Sequence, residues 1–382
     1  MKGFKNVKAY IYGKGIITTN IGIENGKIVY VGDQDKITEP LPYSQDQLVV
    51  AGFIDQHIHG AGGADAMDGS IDALSTIANC LAKEGTTTFL ATTMTQSPDN
   101  ILKAMKAVKE YKELNAKDGA RVLGIHLEGP FISKKHIGAQ PLEYVATPSV
   151  EVFDEYNYAS GNNIKIVSLA PEEDGAIELI EHLSSLGVIA SAGHTDAGFD
   201  SIKKAVDCGL SNVTHTYNAQ KGVHHREVGT VGSAMLFDEL NCEGICDLVH
   251  LSAPAIRLLI KNKPHDKFTL ITDSMRAKHL SDGLSELGGQ VVIVKNGEAR
   301  LENGALAGSI LKMNNAVKNL VLSCGVPIQD AIDFATVNPA KNLNIFNQTG
   351  SIEVGKNADF AVLNGEFEVM LTIRDGNVIY KA

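Results

Sequence analysis

Two histidines stand two residues apart in the stretch GFIDQHIHGAGG, which covers residues 52–63. An apolar run over residues 48–54 precedes them, and a cluster of glycines follows. Side chains two residues apart on a β-strand point to the same face, so His57 and His59 can bind one cation from the same side. Neutral imidazoles combined with carboxylates suit Zn²⁺ or Fe²⁺, whereas Mg²⁺ and Ca²⁺ prefer oxygen ligands. The stretch therefore predicts a metal site at the end of a strand.

Ligand and acid–base side chains recur at the ends of other strand-like runs. These further residues are His126, Glu128, His194, His215, His250 and Asp273. A metal held by histidines and a carboxylate keeps a position open for water and makes hydroxide available near neutral pH. Asp273 can take a proton from that water and pass it to a leaving group. Because no GxSxG elbow is present and no cysteine ends a strand beside a basic partner, metal-assisted hydrolysis is the reaction class predicted.

The elements that position these residues alternate between strand-like and helix-like segments. Eight strand-like runs occur, at 47–59, 86–94, 121–129, 163–172, 187–195, 211–219, 242–250 and 268–275. Segments such as 99–114 and 197–209 repeat apolar residues three and four apart, which is typical of helices. The alternation predicts an α/β fold with a (β/α)8 TIM-type barrel, whose chemistry lies at the carboxyl ends of the strands. A doubly wound open sheet is the alternative, although no GxGxxG motif follows a strand.

The two ends of the chain share a different pattern, with β-formers alternating around Asn-Gly and Asp-Gly turns. The Asn25–Gly26 pair between two alternating runs is the strongest hairpin signal. We expect residues 1–50 and 346–382 to form one small β-sandwich domain and residues 51–345 to form the barrel.

Composition narrows the classes of partner. The 382 residues carry a net charge of −11 without a basic stripe, which argues against nucleic acid. Five scattered cysteines with no CxxC motif indicate buried thiols in a reducing compartment. No signal-peptide core or run of membrane-spanning length is evident, so we expect a cytoplasmic protein with no membrane partner.

Several motifs resemble a known family. The Phe-Ile-Asp-x-His-x-His opening, the eightfold alternation and the paired β-rich ends resemble the amidohydrolase superfamily. Within it, the segments 124–131 (GIHLEGPF), 191–197 (SAGHTDA), 214–220 (THTYNAQ), 271–274 (ITDS) and 304–320 (GALAGSILKMNNAVKNL) resemble the N-acetylglucosamine-6-phosphate deacetylases. The resemblance covers essentially the whole chain. Its discriminating motif is Leu-Glu-Gly-Pro, because Glu128 takes the place of the bridging carboxylated lysine of other members.

The resemblance implies a role for each ligand-type residue. Glu128, His194 and His215 would bind the principal metal, and His57 with His59 would complete a second site. The cofactor implied is a divalent metal, zinc or iron, with one or two ions per subunit. Asp273 would act first as the general base and then as the general acid.

The resemblance also implies how a phosphorylated amino sugar would bind. His250 would contact the sugar, Asn218 and Ala219 would line the sugar-phosphate pocket, and Arg226 would bind the phosphate across a homodimer interface into the neighbouring active site. Ala139, Gln140 and Leu306 complete the expected substrate-binding set.

Two departures from the family pattern stand out. Gln140 occupies a position where the family often has a histidine that polarises the acetyl carbonyl, and a glutamine donates a hydrogen bond without a charge. Arg276, Lys278 and His279 follow Asp273 where smaller, more apolar residues are common. These three either face solvent or narrow the choice of substrate.

The function implied is hydrolysis of the acetamide of N-acetyl-D-glucosamine 6-phosphate to D-glucosamine 6-phosphate and acetate, in amino-sugar catabolism or cell-wall recycling. The alternative is an amidohydrolase for another small N-acyl or cyclic amide substrate, which would not need Arg226. A metal-free scaffold on the same fold is disfavoured because every expected ligand position is filled.

Overall fold

The computed structural model describes residues 1–382, with strands and helices numbered in chain order. The strands are β1 (Lys2–Ile11), β2 (Gly15–Glu24), β3 (Lys27–Gly32), β4 (Glu39–Pro40), β5 (Leu48–Ala51), β6 (Phe53–Ile58), β7 (Gly60–Ala61), β8 (Ala64–Asp65), β9 (Thr86–Thr92), β10 (Arg121–Glu128), β11 (Ile164–Leu169), β12 (Ile189–Ala192), β13 (Leu210–Val213), β14 (Asn241–Ile245), β15 (Phe268–Ile271), β16 (Gly283–Leu287), β17 (Gln290–Lys295), β18 (Glu298–Leu301), β19 (Phe360–Leu363), β20 (Val369–Arg374) and β21 (Asn377–Lys381). The α-helices are α1 (Ile71–Ala82), α2 (Pro98–Leu114), α3 (Val150–Ala159), α4 (Ala176–Ser185), α5 (Phe199–Asp207), α6 (Gly229–Leu236), α7 (Ala253–Lys261), α8 (Met313–Leu322), α9 (Ile328–Ala335) and α10 (Val337–Asn342).

The central sheet is a parallel barrel. Its strands follow the order β6-β9-β10-β11-β12-β13-β14-β15, with helices on the connections between them. Backbone hydrogen bonds close the two ends of this order: the amide of Asp273 donates to the carbonyl of His57 at 2.8 Å, and the amide of His59 donates to the carbonyl of Ser274 at 2.9 Å. The predicted (β/α)8 barrel is confirmed. These closing bonds join the first strand, which carries the paired histidines, to the segment that carries Asp273.

The first predicted run proves to be two strands. Gly52 separates β5, which pairs with strands from the chain ends, from β6, which enters the barrel. The terminal sheet follows the order β21-β20-β19-β5-β1-β2-β3, with β4 beside β1. It encloses its own apolar core, in which the rings of Phe4 and Phe360 meet edge to face at 5.5 Å. The predicted hairpin joins β2 to β3, and Asn25 and Gly26 take the positive φ values of 50° and 76° that such a turn requires.

A three-stranded antiparallel sheet, β16 to β18, follows the last barrel strand and was not predicted. Its apolar side chains, including Leu287 and Val292, pack against Met94. The Gln290 side chain donates a hydrogen bond to the carbonyl of Ala139 at 2.6 Å. This small sheet therefore covers the loop that follows β10.

Helix α2 illustrates how the local sequence determines an element. Ser97 accepts a hydrogen bond from the amide of Asn100, Pro98 begins the helix, and Asn115 ends it in the left-handed conformation. The predicted helix over 99–114 is confirmed within one residue. None of the helices has the length and apolar character needed to cross a bilayer.

Candidate metal centre and active site

The ligand-type side chains meet at the carboxyl end of the barrel. Glu128 is the last residue of β10, and His57 lies near the end of β6. His194, His215 and Asp273 each stand two residues beyond the end of their strand and take positive φ values of 48°, 27° and 47°. Positive φ is uncommon for residues other than glycine, although His and Asp adopt it more readily than most.

Glu128 lies at the centre of the cluster. Its Oε1 lies 2.9 Å from His215 Nε2, 3.3 Å from His194 Nε2 and 3.5 Å from His57 Nε2. Its Oε2 lies 3.4 Å from His59 Nε2. One carboxylate therefore faces four imidazoles, and all four histidines are buried.

The second nitrogen of three of these rings is engaged elsewhere. His194 Nδ1 lies 2.9 Å from the carbonyl of His136, and His59 Nδ1 lies 3.2 Å from the carbonyl of Thr92. His57 Nδ1 contacts the Glu243 carboxylate at 3.0 Å. Outer partners of this kind orient metal-binding histidines and fix the tautomer. Each of these rings therefore turns its Nε2 atom toward Glu128.

This donor set fits a divalent metal. His57 Nε2 is buried and has no hydrogen-bond partner, and His194 Nε2 faces His215 Nε2 at 3.2 Å. Two inward-facing imidazole nitrogens at that distance are readily satisfied by a shared cation. Two candidate ligand groups meet at Glu128, one with His194 and His215 and the other with His57 and His59.

His126 belongs to the hydrogen-bonding framework. Its Nδ1 lies 3.1 Å from the Gln56 carbonyl and its Nε2 2.7 Å from the Ser168 hydroxyl, so neither nitrogen is free. Burial lowers the pKa of His126 to about 4, so the ring is neutral. Although His126 lies close to His57 and Glu243, it holds strands together and is not placed to bind a metal.

Asp273 stands beside the two histidines of the first strand. Its Oδ1 lies 3.2 Å from His59 Nε2 and 3.5 Å from His57 Nε2. Burial alone would raise the pKa of Asp273, but the neighbouring imidazoles outweigh it and lower the value to about 2. The carboxylate is therefore ionised at neutral pH, as a proton acceptor must be.

The charges of the cluster are strongly linked. Burial lowers the pKa of His57, but the attraction of three carboxylates, Asp273 foremost, outweighs it and raises the value to about 10. In the absence of metal the site therefore holds protons, which a cation must displace when it binds.

A cavity of about 360 Å³ opens over the cluster. Six of the seven predicted substrate-binding residues line it, namely Ala139, Gln140, Asn218, Ala219, His250 and Leu306. Arg226 is exposed, bonds to His225 at 2.7 Å and does not line the cavity of its own chain.

Two of the lining residues are held by particular partners. His250 Nδ1 contacts the Asp247 carboxylate at 2.6 Å, which orients the ring. Gln140 donates to Glu128 Oε2 at 2.7 Å and accepts from the amide of Thr95 at 2.7 Å. At the position where the family often has a carbonyl-polarising histidine, Gln140 therefore donates one N–H group of its amide to Glu128.

Sequence reasoning missed two charged residues of the site. Glu243 is fully buried in β14 and bonds to His57, to Gln56 at 2.8 Å and to the amide of His215 at 3.2 Å. Its only signal is a carboxylate inside a short, fully buried strand. Lys135 is the one lysine or arginine that lines the cavity, and its position in the loop after β10 was a usable signal.

Arg276, Lys278 and His279 neither face solvent as a group nor line the cavity. Lys278 is fully buried and pairs with buried Glu84 at 3.0 Å, and His279 contacts the same carboxylate at 2.7 Å. Arg276 bonds to Asp68 at 2.9 Å. The expectation that they face solvent is wrong, because these side chains turn back into the protein to form internal ion pairs.

Comparisons with known proteins agree with this geometry. The Amidohydrolase family model matches residues 48–379. The N-acetylglucosamine-6-phosphate deacetylase of Bacillus subtilis (strain 168) is 44% identical over 365 residues, which cover 94% of this chain and 92% of that protein. The solved N-acetylglucosamine-6-phosphate deacetylase of Thermotoga maritima matches with a TM-score of 0.91 and 34% identity over 100% of both chains. A mutant of the Mycobacterium smegmatis enzyme, in complex with N-acetyl-D-glucosamine-6-phosphate, matches with a TM-score of 0.93 and 27% identity over 100% of both chains. The chain therefore belongs to the amidohydrolase family and, within it, to the N-acetylglucosamine-6-phosphate deacetylases.

Proposed function

We propose that this chain hydrolyses the acetamide of N-acetyl-D-glucosamine 6-phosphate, releasing acetate and D-glucosamine 6-phosphate in amino-sugar catabolism or cell-wall recycling. The observation that carries the proposal is a buried cluster at the floor of a cavity, in which four histidines surround the Glu128 carboxylate and Asp273 lies 3.2 Å from one of them, His59. The substrate is inferred from the similar proteins, which are N-acetylglucosamine-6-phosphate deacetylases.

The metal site is assigned to Glu128, His194 and His215, with His57 and His59 forming a second position. Zinc and iron are the ions that this mixed nitrogen and oxygen set favours, as one or two per subunit. When bound, such an ion polarises a carbonyl oxygen and lowers the pKa of water toward neutrality.

Asp273 moves the proton in the proposed reaction. Its carboxylate accepts a proton from the attacking water as the water oxygen bonds to the carbonyl carbon of the acetamide. The C–N bond then breaks, and Asp273 returns the proton to the departing amine nitrogen. The carboxyl is regenerated as a carboxylate, and the amine and acetate leave.

The remaining cavity residues bind the sugar and its phosphate. His250, oriented by Asp247, and Leu306 contact the sugar, while Asn218 and Ala219 lie toward the phosphate. Arg226 of the partner subunit completes the phosphate site in a homodimer, because its planar fork suits a phosphate and it does not reach its own cavity. A cytoplasmic location is part of the proposal and is supported by five free cysteines.

A substrate panel tests this function. The purified, metal-loaded chain is assayed for amine release from N-acetylglucosamine 6-phosphate, unphosphorylated N-acetylglucosamine, N-acetylgalactosamine 6-phosphate and a cyclic amide. We expect the first substrate to give the highest kcat/KM and the unphosphorylated sugar to be at least about a hundredfold poorer, since it lacks the charged anchor. A preference for the unphosphorylated sugar or the cyclic amide would refute the assignment.

A further inference from the structure

Gln140 is buried in the loop over residues 133–140, and its amide is engaged on both sides. The Nε2 group donates to Glu128 Oε2 at 2.7 Å, and the Oε1 atom accepts from the backbone amide of Thr95 at 2.7 Å. Only 4% of the residue is exposed. A buried side chain with two short hydrogen bonds has little freedom to turn toward another partner.

The two oxygens of Glu128 have different surroundings. Oε1 faces His194 and His215, at 3.3 and 2.9 Å. Oε2 has Gln140 as its near partner, with His59 farther away at 3.4 Å. Because a carboxylate rotates about its terminal C–C bond, a hydrogen bond that holds one oxygen also directs the other.

We infer that Gln140 is a positioning residue that holds Glu128 in the orientation needed to bind the principal metal. The inference rests on the proposed function, because it takes Glu128 as a metal ligand. The resemblance places a residue that polarises the acetyl carbonyl at this position. In this chain Gln140 instead supports the metal ligand Glu128. Outer hydrogen bonds of this type tune metal affinity as well as geometry.

The arrangement also connects the wall of the cavity to the metal site. The carbonyl of Ala139 accepts from Gln290 on the small sheet β16 to β18, at 2.6 Å. The neighbouring Gln140 bonds to Glu128, so the loop is anchored both to its cover and to a ligand. Two glutamines of equal length therefore hold the same loop, and only one of them touches a ligand.

This pair gives a matched test. Gln140→Leu removes the hydrogen bond to Glu128 at similar volume, and Gln290→Leu removes the bond to Ala139 but leaves Glu128 untouched. Zn²⁺ affinity is measured by chelator competition without substrate, and kcat and KM are measured at low and saturating Zn²⁺. Gln140→Met serves as a second variant, and circular dichroism verifies that each protein is folded.

We expect Gln140→Leu and Gln140→Met to weaken Zn²⁺ binding by roughly 10- to 100-fold, with kcat recovering when Zn²⁺ is saturating. Gln290→Leu should bind Zn²⁺ like the parent. Unchanged Zn²⁺ affinity in the Gln140 variants would overturn the inference, and a kcat loss that saturating metal does not repair would instead identify Gln140 as a donor to the substrate. If the parent does not hydrolyse N-acetylglucosamine 6-phosphate, the proposed function fails, whereas the affinity comparison still decides the role of Gln140.

Discussion

Lys135 is a charged side chain on the cavity wall with no strong competing partner. Its Nζ lies 2.8 Å from Asp196, but the side chain is 75% exposed. Exposed ion pairs contribute little and are screened by salt, so Lys135 is free to turn to a phosphate entering the cavity.

We therefore predict that Lys135→Ala raises KM for N-acetylglucosamine 6-phosphate by roughly 10-fold with little change in kcat, since a hydrogen bond to a charged group contributes about 1.5–3 kcal/mol. Lys134→Ala is the control, because Lys134 is exposed and does not line the cavity. Steady-state kinetics measure KM for both variants and for the parent. If the KM of Lys135→Ala equals that of Lys134→Ala, Lys135 takes no part in binding the phosphorylated sugar.

The protonated histidine cluster predicts a pH effect on the metal-free protein. The pKa of His57 rises from 6.5 to about 10 on folding, so between these values the folded chain holds a proton that the unfolded chain has lost. The stabilisation from this group is complete below pH 6.5 and disappears as the pH rises through about 10.

Calorimetry in the presence of a chelator should therefore show Tm falling as the pH rises from 6.5 to 10. The metal-loaded protein should show a smaller fall, because a bound cation requires neutral imidazoles. Parallel curves for the two forms would mean that the cluster does not hold its protons in this way.

At the scale of elements, a buried ion pair joins the segment after Asp273 to Glu84, which follows helix α1. Lys278 and Glu84 are both fully buried, 3.0 Å apart, and Glu84 also accepts from the amide of Met313 at 2.9 Å. Removing one member of such a pair leaves a buried charge with too few partners.

We predict that Lys278→Met lowers the free energy of unfolding by about 3 kcal/mol, and that the double variant Glu84→Gln with Lys278→Met loses less. Urea unfolding measures both. Lys203→Met provides the comparison, because its pair with Asp207 is exposed and should contribute less than about 1 kcal/mol. A double variant that is less stable than Lys278→Met would contradict this reading of the pair.

The elements differ in how far the sequence determines them. The barrel strands were predictable because apolar runs ending in polar residues recur, and α2 was predictable from its caps and period. The small sheet β16 to β18 was overlooked, although Gly288–Gly289 and Asn296–Gly297 stand at its turns and are ordinary hairpin signals.

Contacts between distant parts of the chain cannot be predicted from local sequence patterns. The spacing of His57 and His59 predicts a metal site, whereas the partners of Glu243 and Lys278 come from distant parts of the chain. The same holds for Gln140, since a loop glutamine gives no sign of whether it faces a substrate or Glu128. Tertiary contacts decide these roles, and no period or motif encodes them.

At the scale of the whole molecule, the proposed dimer makes each active site depend on two chains. Arg226 is exposed in the single chain, and Val223 and Leu236 of the same region are 61% and 62% exposed. Arg226 is therefore accessible to a second chain.

Subunit mixing tests this dependence. Arg226→Ala lacks the phosphate contact and Asp273→Asn lacks the proton carrier, but a mixed dimer contains one complete site. Random pairing makes half the dimers mixed, so activity at low substrate concentration should recover to about a quarter of the parent value. Recovery no greater than the sum of the two variants alone would place Arg226 outside the neighbouring site.

The most direct measurement is acetate release from N-acetylglucosamine 6-phosphate by the parent and by Asp273→Asn, with metal content determined on the same samples. We expect rapid release by the parent, and an Asp273→Asn protein that binds the same amount of metal but has lost at least about a thousandfold in kcat, because the group that moves the proton is removed. An Asp273→Asn protein that keeps more than about a tenth of the parent activity with metal bound would overturn the proposed role of this carboxylate, because proton transfer would then not depend on Asp273.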